Sequence, residues 1–159
     1  MGTMRRLLKF ALPALLLIAA GAGAARAQSG EPAKAAGALA AAEEKMARRF
    51  PQPVRVGFLI GRAVLDNEEN TIGHVRRVVR TAEGKIELIV GYSRWFAWLG
   101  WWERPVAVPV PLVAMLGPYV FAIDMPVAEF QWAPEWTAGE SKELGADEVI
   151  QVALTKTWH

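Results

Sequence analysis

The chain has 159 residues, a formal net charge of +2, an apolar fraction of 53% and no cysteine. That length suits one domain with appendages. The missing thiols exclude disulfide scaffolds, zinc ribbons, thiol catalysis and lipoprotein acylation.

Both the charge and the apolar fraction are skewed by the first residues. Residues 1–27, MGTMRRLLKFALPALLLIAAGAGAARA, place Arg5, Arg6 and Lys9 ahead of an apolar run from Phe10 to Ala24. Ala25-Arg26-Ala27 then sets small residues where a signal peptidase reads them. This layout predicts a secretory signal peptide, cleavage after Ala27 and a periplasmic location. The alternative is an uncleaved inner-membrane anchor, although the run falls short of the roughly 20 residues of a full span. Arg5-Arg6 leaves general and twin-arginine export both open. Cleavage leaves 14 basic residues against 16 acidic ones, a net charge of −2. The electrostatic case for a nucleic-acid partner goes with the discarded segment.

Residues 28–53 read as an Ala-rich helix and linker. Glu44 and Arg48 stand four apart in the favourable order, but Leu39 and Met46 are the only large apolar side chains before Arg49. A solvated linker helix is therefore expected, with a partner-binding helix as the alternative. Pro51 and Pro53 end it, since each biases its predecessor to extended geometry.

Beyond them the period changes to two. FLIGRAVLD predicts a first strand, Asn67 to Asn70 a turn, and TIGHVRRVVRT a second strand in which Gly73 marks a bulge or bend. Glu83-Gly84 signals a hairpin. KIELIVGYS is a third strand, RPVAVPV a fourth, and PLVAML a short helical turn. After Gly117-Pro118, YVFAIDM is a fifth strand. PVAEFQWAPEW opens with Pro126 at a helical first turn and stops by Pro134. In the tail, residues 137–159, DEVIQVALTKTW predicts a last strand that docks on the body. Many short strands separated by turn signals indicate a small barrel or sandwich.

The ordered set Ile60-Gly61, Ile72-Gly73, Glu83-Gly84, Leu99-Gly100, Val106 to Pro109 and Ala133-Pro134 resembles the PRC-barrel domain family. The likeness runs from about Phe58 to Trp136, within a domain taken as residues 54–136. It implies a mainly β fold, a small antiparallel PRC-type β-barrel, and a role in docking onto proteins or assemblies. The family offers no catalytic residues to carry over. Where its members place glycines and small apolar residues between the third and fourth strands, this chain places tryptophans.

Catalytic signals are sparse. His74 lies among arginines on a strand, and His159 is terminal. Ser29, Ser93 and Ser141 lack a nucleophile setting. Glu68-Glu69 and Asp147-Glu148 are adjacent pairs, which point apart on a strand and suit solvation better than acid–base work. Arg62, Arg76, Arg77 and Arg80 read as solvated strand arginines near Glu87, because Arg77 should face away from Arg76 and Arg80. No cofactor, metal site or enzyme activity is expected.

The candidate site is the stretch YSRWFAWLGWWERP. Trp95, Phe96, Trp98, Trp101 and Trp102, flanked by Arg94 and Arg104, concentrate more aromatic surface than one end of a small barrel encloses at about 150–250 Å² per ring. Self-coverage by Phe130, Trp132, Pro134, Trp136 and Trp158 is one reading. The expected function is a non-catalytic periplasmic adaptor that grips a protein of the cell envelope through this loop. The runner-up is an envelope factor that rests the same loop on a membrane surface; an enzyme of unrecognised type is the third.

Overall fold

The computed structural model describes residues 31–93 and 103–155; the predicted signal peptide, residues 94–102 and Trp158 lie outside them. Helix α1 (Glu31–Arg48) is built largely of alanine, the best helix former. It ends before Phe50, which takes a φ of 53°. Pro51 and Pro53 then lead into β1 (Gln52–Arg55). A proline fits there because β1 is an edge strand.

The first expected strand opens inside a turn of helix at Phe58 and Leu59. Val56 and Leu59, three apart, both bury completely, and this pulls Val56–Leu59 into a turn of helix, α2. Gly61, with φ of 79°, reverses the chain, and only Ala63–Leu65 extends as β2. Strand β3 (Thr71–Arg80) and strand β4 (Ile86–Tyr92) form the predicted hairpin around Gly84, whose φ is 81°. The bulge falls at Arg76, between Val75 and Arg77 in the register, as well as between Val64 and Leu65 on the β2 side. An extra residue flips the alternation. Arg76 and Arg77 are therefore both exposed while Val75, Val78 and Val79 are buried. Gly73 answers a different need. A Cβ there would sit 2.3 Å from the Gly91 carbonyl oxygen across the ladder.

Strand β5 (Arg104–Pro109) runs into a 3-10 turn, Val110–Leu112, then β6 (Ala114–Leu116) and β7 (Tyr119–Phe121) around Gly117. Helix α3 (Val127–Trp132) follows Pro126 as expected. The tail adds β8 (Lys142–Glu143) and the predicted docking strand, β9 (Val149–Leu154).

Among the described residues the result is a mainly β fold with one nine-stranded sheet, ordered β1-β9-β6-β7-β2-β3-β4-β5, with β8 pairing β3. The sheet is mixed and not antiparallel throughout: β2 runs parallel to β7, and β6 to β9. Its hydrogen-bonded path stays open between β1 and β5. The sheet nevertheless curls. β9 touches the turn that follows β5, near the far end of the path, and one core cluster takes side chains from β9 (Ile150, Val152), β7 (Val120), β3 (Val75, Val78), β4 (Leu88, Val90) and β5 (Val106, Val108).

Helix α1 is not a solvated linker. It packs on the 3-10 turn and on β9, with Ala42 only 3% exposed and Met46 against the core. Alanine supplies the reason: without a large side chain the helix backbone can approach closely. A polar latch secures its end, where Lys45 and Arg49 donate to Asp124 at 3.1 and 2.6 Å.

Candidate contact site

The aromatic segment joins β4 to β5, whose ladder ends at the pair Tyr92 and Arg104. Arg94, Trp95, Phe96, Trp98, Trp101 and Trp102 lie outside the described residues. What the structure shows is the platform from which they leave. Its foundation is aromatic. Phe130 of α3 is fully buried and stacks on Tyr92 with ring centroids 5.9 Å apart.

Arg104, expected to face a partner, is turned inward by its own fold. Its guanidinium lies 5.7 Å from the Tyr92 ring centroid. It donates to the carbonyls of Phe130, Gln131 and Ala133 at the end of α3. These are carbonyls that a short helix leaves without internal donors, and a cation at that terminus also suits the helix dipole. One fork thus fastens the first residue of β5 to α3. The backbone adds a second tie, from the Trp136 amide to the Pro105 carbonyl at 2.8 Å.

From β3, two strands away, Arg76 makes a two-pronged ion pair with Glu103; its Nε donates to Oε2 at 2.8 Å, and its terminal nitrogen to Oε1. The bulge frees Arg76 to reach across β4. Gly91 makes room for the pair, since a Cβ there would lie 2.6 Å from the Glu103 carboxylate and 3.0 Å from Arg76 Nε. Glu103 and Arg104, adjacent in sequence, are thus held by different parts of the fold.

The proposed aromatic cover divides. Phe130 is core, Trp136 is half-buried and Pro134 exposed. Trp132, on the last turn of α3, is 86% exposed. It follows Gln131 in the chain, whose carbonyl Arg104 holds.

The other flagged residues do not converge. His74, Glu68, Glu69, Asp147 and Glu148 are exposed, and Ser93 is half-buried. The arginines have partners, but Glu87 is not among them. Arg77 lies 3.8 Å from Glu143 and Arg80 lies 3.9 Å from Glu148. Arg62 stacks over Phe58 and donates to its carbonyl. Among the described residues no group of three or more acidic or histidine side chains is placed to hold a metal ion, and no helix is long and apolar enough to cross a membrane.

Sequence reasoning missed the Arg76–Glu103 pair and the inward role of Arg104. A usable signal was Gly91, a glycine inside a strand, which marks close approach by another group. No protein-family model, curated protein or solved structure matches the chain.

Proposed function

We propose that the protein is an exported, non-catalytic adaptor of the periplasm, with a PRC-barrel-like body and a contact surface formed by the 94–102 segment together with Trp132. The observation that carries this reading is the construction of the hairpin base. Arg104 clamped to α3, and Glu103 clamped to Arg76, fix both backbone direction and spacing where the aromatic segment returns to the sheet. Such anchoring lowers the ordering cost of binding, because less of the surface must be immobilised when a partner arrives. Trp132 adds an exposed indole of the type that dominates binding hot spots. The PRC-type reading of the body leans on the sheet that curls around its core cluster, with α1 packed on the 3-10 turn after β5 and on β9.

The test is a Trp98→Ala/Trp101→Ala double variant. A variant that melts like wild type and loses a cross-linked envelope protein supports the adaptor. Loss of vesicle binding in its place transfers the surface to lipid. Collapse of the fold makes the indoles core and removes both readings.

A further inference from the structure

A cleft of about 370 Å³ opens between α1 and one end of the curled sheet, on the side reached by the β3–β4 hairpin. Its apolar walls come from Leu39 and Met46 of α1, Ile86 of β4, Val110 of the 3-10 turn and Ile150 of β9. The volume lies within the range of small-molecule sites, about 300–1,000 Å³, which pair such walls with a few polar groups.

The polar groups here are unequal. Arg80, Lys85 and Gln151 also line the cleft, Arg80 lying 3.9 Å from Glu148 and Lys85 standing exposed on the hairpin turn. Glu43 faces the cleft from α1 and Glu87 from the sheet. Glu87 is half-buried, with Pro109 and Val79 as its ladder neighbours. Neither of those can donate a side-chain hydrogen bond or a charge. Burial, reinforced by the charge of Glu83 and only partly offset by Lys85, raises the Glu87 pKa. The carboxylate thus stands at the wall of an apolar cleft with less positive charge around it than its ionised form favours.

We propose that this cleft binds a small organic cation, an alkyl- or arylammonium whose carbon body lies on the apolar walls and whose ammonium meets Glu87. The charge balance selects the sign. With Arg80 drawn to Glu148, Glu43 and Glu87 outnumber Lys85 on the lining, so a cation adds counter-charge beyond Lys85 and donates hydrogen bonds that the ladder neighbours of Glu87 cannot. The cleft is separate from the hairpin base, so this site neither requires nor supplies the adaptor role.

Hexylammonium, hexanol and hexanoate are matched probes, titrated into the isotopically labelled protein and followed by amide NMR shifts. Saturable shifts with hexylammonium, centred on Leu39, Ile86, Val110 and Ile150, are expected, with hexanol and hexanoate about tenfold weaker or more. Glu87→Gln should bring hexylammonium down to the hexanol level while leaving the melting temperature unchanged or raised. Equal or tighter binding of hexanoate, shifts centred elsewhere, no saturable binding, or an undiminished Glu87→Gln response would overturn the proposal. The comparison of the three probes on the wild-type chain decides the matter even where the variant misfolds.

Discussion

Removing Arg104 tests the hairpin base. Arg104→Ala deletes donors to three carbonyls, those of Phe130, Gln131 and Ala133, and a cation resting near the Tyr92 ring. Hydrogen bonds from a charged donor contribute about 1.5–3 kcal/mol each where they are shielded. This site is only part-buried, so water replaces some of them and the combined loss should be about 2–3 kcal/mol. For a domain of this size that lowers the melting temperature by roughly 8–15 °C. Arg104→Lys retains the charge but not the fork that spans several carbonyls, and should lose about 1 kcal/mol. Circular dichroism melts and urea titrations read both. An Arg104→Ala protein melting within about 2 °C of wild type would refute the clamp as a source of order at the base.

The two sheet glycines should respond differently. A Cβ at Gly73 meets a backbone carbonyl oxygen at 2.3 Å, so Gly73→Ala should cost about 2–3 kcal/mol. At Gly91 it meets the ends of two flexible side chains, so Gly91→Ala should cost about 1 kcal/mol and break the Arg76–Glu103 pair. Urea unfolding ranks them. Asp124 gives a pH test. Burial opposes its charge, but Arg49 and Lys45 outweigh that and hold its pKa below the usual value. A depressed carboxylate pKa adds stability that is fully present above the unfolded value and is lost as pH falls through the folded one. Asp124→Asn should therefore cost about 1–2 kcal/mol at pH 7, and the cost should shrink as pH falls below the ordinary aspartate range toward the lowered folded value, as measured by melts across that range. Ala42→Leu puts bulk where the residue is 3% exposed; it should lift α1 from the sheet, cost about 1–3 kcal/mol and make Lys45 and Arg48 sensitive to trypsin.

The long strands were legible because alternation and turn chemistry agreed over their length. TIGHVRRVVR and KIELIVGY flank Glu83-Gly84, and the structure pairs them as β3 and β4. Strands β1, β6 and β8 span two to four residues, too few for a period to register, and tertiary pairing decides them. The facing of Arg76 and Arg77 was misread because a bulge shifts register without a reliable sequence mark. The docking of α1 was hidden by its composition: a helix can bury alanine by close approach, which hydrophobic patterning scores as little to bury. At the candidate site, the aromatic density was visible in the sequence. The destination of Arg104 was not, because its partners are backbone carbonyls in α3 about 30 residues away.

The adaptor reading stands most directly on one comparison. The Trp98→Ala/Trp101→Ala protein is melted beside wild type, and each is then cross-linked to its envelope partners in the periplasm. A melting temperature within about 2 °C of wild type, together with loss of the cross-linked partner, is the predicted result. A variant that unfolds, or one that stays folded and keeps every partner, would contradict it.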